Sequence, residues 1–250
     1  MIIDCHCHAG TGDGLTGPWD TRADLAAYRR RADAAGIART VLFAAFSSDY
    51  RAANAEVAAI VAAEPDRWLG FAFVHAERDR GRVARLVREA VLQHGFRGIK
   101  AHRHDARITR EVCEAARRWR IPVLYDPAGE LAPVEMVTAE YPDVAFVVPH
   151  LSSFADDWKS QRAFVDQLAR VPNLYADTSG VRYFDLLAEA VRRAGPHRVL
   201  FGSDGPGLHP GVELAKVRAL GLSADAERLV LGGNLRRLIG RVRRAPAAVA

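Results

Sequence analysis

The chain has 250 residues, 49% of them hydrophobic and 26% charged, enough for a sizeable core and close to the roughly 250 residues of one (β/α)₈ barrel. This composition excludes disorder, collagen and coiled coil, and no apolar run reaches the ~18 to 20 residues that a membrane span needs. The net charge of +5 raises the question of nucleic acid, but only Lys100, Lys159 and Lys216 among the 35 basic residues are lysines. The arginines are spread over polar helix faces rather than gathered in a phosphate-tracking stripe, so nucleic acid is not expected as a partner. Met1 leads directly into Ile2, Ile3 and Asp4 without a basic or apolar leader, and three cysteines do not suggest a disulfide framework. The expectation is a cytoplasmic protein with a small-molecule substrate, acting alone or as a homodimer.

Short apolar, β-rich runs alternate with stretches of helical period along the chain. Strands are predicted at 2–6, 40–44, 69–74, 96–100, 123–126, 145–148, 174–177 and 199–202. Helices are predicted near 21–35, 52–64, 78–93, 109–119, 133–140, 160–170 and 184–194, with one more from about Val212. Thr21 supplies a start signal, and Gly36, Gly95 and Gly195 supply stop signals. Residues 224–240 read as a last helical segment and 241–250 as a basic, frayed tail. Eight strands separated by helices predict an α/β fold, a single-domain (β/α)₈ barrel spanning 1–240. The competing open, doubly wound sheet lacks a Gly-rich dinucleotide fingerprint after its first strand.

Barrel enzymes carry their reactive groups at the carboxyl ends of strands. Here those ends hold His6 and His8, His75, Lys100 with His102, Asp126, His150, Asp177 and Asp204. Five of the nine histidines would therefore converge on one mouth. Alternation along a strand puts Asp4, His6 and His8 on one face, so that two imidazoles can reach one ion, and Cys5 and Cys7 on the other. The competing reading makes the two cysteines the ligands. Cys113, in a helical stretch, is expected in the core. Asp204 follows an apolar run and precedes a Gly/Pro-rich turn, where a carboxylate can bind a divalent ion and take a proton from water. His150 ends another apolar run and is a candidate ligand, base or oxyanion donor. Trp19, Phe154 and Trp158 are candidate pocket walls.

The HxH of residues 6–8, GFRGIKAH at 95–102, IPVLYD at 121–126, the run from Tyr141 to His150, NLYADTSG at 173–180, RVLFGSD at 198–204 and LGGN at 231–234 together resemble the amidohydrolase superfamily. The likeness is to its branch of metal-dependent hydrolases and decarboxylases. It implies one divalent metal, usually zinc, bound by the HxH pair, a strand-five histidine and the strand-eight aspartate, with the strand-six histidine, here His150, acting beside it. The chain departs from that pattern at strand five, where Asp126 stands in place of histidine. Either Asp126 replaces the imidazole, giving a His6, His8, Asp126, Asp204 shell that tilts from zinc toward manganese, or a ligand has been lost. Some relatives bridge two metals with a carboxylated lysine, but those sites use the missing histidine, so Lys100 reads as a substrate clamp or a core-rim lysine. His75, His102 and Arg103 are candidates for binding an anionic substrate.

The resulting expectation is a metal-dependent hydrolase of an amide, lactone or cyclic ester, with Asp204 and His150 catalytic and Lys100, His102, His75 and Trp19 contacting substrate. Nonoxidative decarboxylation is the alternative, and a degenerate barrel kept as a binding protein is a third reading.

Overall fold

The computed structural model describes residues 1–13, 22–154 and 157–243. Its strands are β1 (Ile2–Ala9), β2 (Ile37–Ala44), β3 (Trp68–Gly70), β4 (Ala72–Phe73), β5 (Ile99–His102), β6 (Val123–Asp126), β7 (Phe146–Val148), β8 (Leu174–Asp177) and β9 (Val199–Leu200). All pair in parallel and in chain order. β3 and β4 are two halves of one stave, the first bonded to β2 and the second to β5, with the Phe71 N–H donating to the Leu42 carbonyl between them (2.9 Å). The staves therefore number eight. The last meets the first where Cys5 N–H donates to Phe201 O (2.9 Å) and His8 N–H to Gly205 O (2.7 Å), closing the (β/α)₈ barrel.

The connecting helices are α1 (Leu25–Ala34), α2 (Tyr50–Ala63), α3 (Val83–Leu92), α4 (Arg110–Trp119), α5 (Leu131–Glu140), α6 (Trp158–Arg170), α7 (Phe184–Ala194) and α8 (Pro210–Ala219). Asp24, Asp49 and Asp157 cap α1, α2 and α6 by accepting backbone N–H groups of the first turn. The cap of α1 is thus Asp24; Thr21 lies outside the described residues. Gly36, Gly95 and Gly195 follow α1, α3 and α7 with positive φ, as the stop signals predict. No described helix is long and apolar enough to cross a membrane.

Three local departures from the sequence reading matter for the site. Between Asp4 and Cys7 β1 advances three residues while β2 advances two, from Thr40 to Leu42. This extra residue breaks strict alternation. The Asp4 carboxylate consequently does not share the face of His6 and His8; it accepts from Tyr28 Oη of α1 (2.7 Å) and from Ser203 Oγ. Second, β9 is only two residues long, because Phe201 N–H turns to Val230 O (2.9 Å) and Gly202 N–H to Thr178 Oγ1 (3.2 Å). Third, the last helical segment is broken into α9 (Ala224–Arg228), a wide turn at Leu229–Gly233 and α10 (Asn234–Ile239). A Cβ at Gly232 would lie 2.9 Å from Met1 O, so only glycine lets this turn press against the start of β1. Residues 241–243 continue with Arg243 N–H donating to Trp119 O (2.9 Å), and 244–250 lie outside the described residues.

Candidate metal centre and cavity

The carboxyl ends of the staves open into a cavity of about 610 Å³. His6, His8, Lys100, His102, Asp126, His150 and Asp204 all face it, beside an apolar wall that includes Phe46, Phe154 and Leu208. Ala128 (φ 48°), His150 (φ 56°) and Asp204 (φ 56°) line it in the left-handed backbone region that disfavours side chains with a Cβ. Leu151 and Ser152 extend that strain beyond His150. Strained backbone held at one mouth is characteristic of functional sites.

The hydrogen bonds on the far side of each ring fix where the free nitrogens point. His6 Nδ1 lies 2.8 Å from Asp177 Oδ2 and His8 Nδ1 lies 3.0 Å from the Ala44 carbonyl. Both partners are acceptors, so each Nδ1 carries a hydrogen, and in the neutral ring each Nε2 presents a lone pair. Those lone pairs meet a third acceptor, Asp204 Oδ1, at 3.2 Å from His6 Nε2 and 3.7 Å from His8 Nε2. Positive charge shared among them, from a metal ion or from a proton on His6 Nε2, relieves the contact of three acceptors at these distances. Two metal bonds of about 2.0–2.1 Å at a tetrahedral angle separate their donor atoms by roughly 3.3 Å. Among the described residues, His6, His8 and Asp204 are the one group of His, Cys, Asp or Glu side chains whose ligand atoms converge in this way.

The electrostatics favour positive charge at the same point. Burial and Lys100 push His6 down, but Asp177 and Asp204 outweigh them and carry it up to about 9. Burial pushes His8 down to about 3, leaving it a neutral donor. Burial alone would raise the Asp204 carboxyl, yet His6, His150 and His8 hold it well below the usual carboxylate range.

Asp126 does not join this trio. Its Oδ1 accepts the Ala128 N–H (2.8 Å), and its Oδ2 lies 3.1 Å from His102 Nε2 and 3.6 Å from His150 Nε2. His102 is its direct register partner on β5, and His102 Nδ1 accepts the His104 N–H (2.9 Å), so the Nε2 hydrogen points at the carboxylate. Burial opposes ionisation of Asp126, but His102, His150 and Lys100 hold it far below its ordinary value. His150 Nδ1 lies 2.7 Å from the Ser179 carbonyl, which leaves Nε2 facing the cavity.

The remaining expected residues separate. Lys100 is fully buried, lines the cavity and has its Nζ 5.0 Å from the centre of the Phe43 ring. His75 does not reach the cavity among the described residues: its Nδ1 accepts the Arg78 N–H (3.1 Å) and its own N–H meets Asp79, so it shapes a turn. Arg103 pairs with Glu130 instead (2.8 Å). Phe154 is a wall; Trp158 is half-exposed and off the lining, and Trp19 lies outside the described residues. Cys5, Cys7 and Cys113 are free and buried, and none of them belongs to the converging trio.

The sequence reading gave no role to Asp177 and Ser179. Asp177 holds His6 and accepts from Ser179 N (2.8 Å) and Ser179 Oγ (2.5 Å), while Ser179 Oγ also sits 3.2 Å from His150 Nδ1. The signal available was an aspartate ending an apolar strand.

A barrel with two histidines on its first stave and an aspartate after its last defines a class of barrel proteins with one mouth-centred site. The family profile described as "Amidohydrolase" matches residues 3–241, and the chain belongs to that family. None of the curated proteins compared matches the chain. Among solved structures, 5-carboxyvanillate decarboxylase from Sphingomonas paucimobilis superposes with a TM-score of 0.75 at 16% identity, covering 97% of this chain and 99% of that one. A dihydroxybenzoic acid decarboxylase from Polaromonas sp., solved with bound manganese and 2-nitroresorcinol, gives 0.73 at 17% identity, covering 97% and 98%. An amidohydrolase from Burkholderia multivorans with bound zinc gives 0.75 at 18% identity, covering 96% and 99%. At these identities the likeness is one of fold.

Proposed function

We propose that the protein is a metal-dependent hydrolase of a small carbonyl compound, an amide, lactone or cyclic ester, with one divalent ion, zinc or manganese, held by His6, His8 and Asp204. The observation that carries this reading is the convergence of two imidazole lone pairs and a carboxylate oxygen on one point of the cavity. The zinc and manganese recorded in two structures of the same fold support it. A divalent ion there supplies Lewis acidity, drawing electron density from a substrate carbonyl and acidifying water. Asp177 and the Ala44 carbonyl keep the two imidazoles in the ligating tautomer. Asp204, whose side chain is about one-fifth exposed to the cavity, takes the proton of the attacking water through its second oxygen. His150 Nε2 faces the developing oxyanion or leaving group, and Asp126 stabilises the imidazolium when His150 holds the proton. In this reading Asp126 serves beside the proton carrier rather than on the ion.

Nonoxidative decarboxylation is the second reading, favoured by the same His150–Asp126 pair, since such a reaction needs a proton delivered to carbon. The experiment is a panel of lactones, amides and aromatic carboxylic acids offered to metal-loaded protein, with acid release and carbon dioxide both recorded. Acid release that is lost in Asp204→Asn supports hydrolysis. Stoichiometric carbon dioxide without hydrolysis replaces it with the decarboxylase, and turnover independent of metal defeats both.

A further inference from the structure

One peptide group separates the ring of His150 from a buried carboxylate on α8. The carbonyl of Ser179 accepts from His150 Nδ1 (2.7 Å), and the N–H of the same amide, on Gly180, donates to Glu213 Oε2 (2.9 Å). His150, Ser179 and Glu213 are all buried. Two hydrogen bonds made through one planar amide polarise each other, because a carboxylate drawing on the N–H makes the carbonyl a better acceptor. The acceptor behind a functional imidazole fixes its tautomer and its orientation. At His150 that acceptor is the Ser179 carbonyl, and Glu213 stands behind it.

The turn that carries this amide is shaped for a close approach. Gly180 has φ 61°, and a Cβ there would lie 2.9 Å from His150 Nδ1 and 2.7 Å from the Phe154 ring, so any other side chain would push the imidazole away. On the outer side of the turn, Lys216 of α8 pairs with Glu213 Oε2 (2.6 Å) and donates to Val181 O (2.9 Å). The two side chains of α8 therefore grip the turn at Gly180 and at Val181. A largely buried ion pair is weak support for stability, and an apolar pair of similar volume would pack as well. Burial indeed pushes the Glu213 carboxyl up, against Lys216 and the Gly180 N–H. The pair is accounted for by what it holds.

We propose that Glu213 is a positioning residue for His150: through the Ser179–Gly180 amide it keeps the ring in the Nδ1–H tautomer with Nε2 turned to the cavity. This deepens the function proposed above, and it rests on that reading only for the proton-carrying role of His150. Glu213 is not among the residues that line the cavity, so it acts without touching substrate. Rotation of the amide would swing Nε2 away from the reacting atoms.

The test reads imidazole nitrogens by NMR in zinc-supplied protein labelled with ¹⁵N-histidine, with His150→Gln giving the assignment. His8 is the reference, because its Nδ1 is likewise held by a backbone carbonyl, that of Ala44 (3.0 Å), on the other side of the mouth. Wild-type His150 is expected in the Nδ1–H tautomer with a slowly exchanging proton. In Glu213→Ala, and in Glu213→Ala/Lys216→Met, which leaves no charge of the pair unpartnered, that proton should exchange about tenfold faster or more, the factor that one hydrogen bond is worth. His8 should not change. Glu213→Gln keeps an oxygen for the Gly180 N–H and should hold the rate within a factor of about three of wild type. An Nε2–H tautomer in wild type, or a His150 proton indifferent to both Ala variants, overturns the proposal. So does equal acceleration at His8, which is general loosening, or a Glu213→Gln protein as altered as Glu213→Ala. If the protein takes up no zinc, or His150→Ala leaves turnover intact, the function proposed above falls, while the same resonances still decide the role of Glu213.

Discussion

His6 and His8 illustrate how a ligand is made from a side chain and its neighbour together. Each ring has its hydrogen pinned to the far nitrogen by an acceptor, Asp177 Oδ2 for one and Ala44 O for the other, so in the neutral ring the near nitrogen presents a lone pair. His6→Ala combined with His8→Ala should take the metal content from about one ion per chain to near zero by elemental analysis. His150→Ala should keep the ion and lower turnover by about 10²-fold or more, as loss of a positioned proton carrier does. For Asp126→Asn the same assay should show the metal retained, with turnover reduced by a similar factor. Loss of the ion in that variant would return Asp126 to the coordination shell. Asp126 also has a pH signature. Its carboxyl is held below its unfolded value by His102, His150 and Lys100, although burial opposes them. Its charge therefore stabilises the fold above about pH 4 and ceases to as the pH falls further. Denaturation of wild type and Asp126→Asn across that range should show the gap between them narrowing toward acid.

At the level of elements, the stave formed by β3 and β4 depends on a side chain for backbone pairing. Asn54 of α2 donates from Nδ2 to Phe73 O (2.8 Å) and accepts the Phe73 N–H at Oδ1 (2.9 Å). Asn54→Ala leaves both backbone groups buried and unmet, so it should cost about 2–3 kcal/mol, seen as a lower urea midpoint with an unchanged slope. Elements of this kind mark what was legible in the sequence. The strand and helix sequence was, because apolar runs and Gly36, Gly95 and Gly195 are local signals of a period and its end. The bulge of β1 was not. It is fixed by Asp4 accepting from His6 N (3.0 Å) and Ser203 N (2.9 Å), partners that include one 199 residues away, and no periodicity carries that information. Strand pairing likewise hid the engagement of Asp126: His102 stands beside it only because β5 and β6 pair in that register. His75 failed for the opposite reason. A histidine just past a strand end looks identical in sequence whether it enters the mouth or caps a turn on Arg78.

Across the whole molecule, the candidate metal centre sits on the seam where the barrel closes. His6 and His8 belong to β1, Asp204 follows β9, and the two are stitched by His8 N–H to Gly205 O (2.7 Å) and Cys5 N–H to Phe201 O (2.9 Å). An ion bridging them fastens the first stave to the last. Metal at a hundred times its dissociation constant should therefore stabilise the fold by about 2.7 kcal/mol. For a chain of this size that is a rise in Tm of roughly 5–10 °C, absent in His6→Ala/His8→Ala and reversed by a chelator. The most direct measurement is an anomalous difference map from a crystal grown with zinc or manganese and recorded at the metal's absorption edge. The account predicts one strong peak within about 2.0–2.2 Å of His6 Nε2, His8 Nε2 and Asp204 Oδ1. A peak on the cysteines, or no peak at this seam in metal-saturated protein, would contradict it.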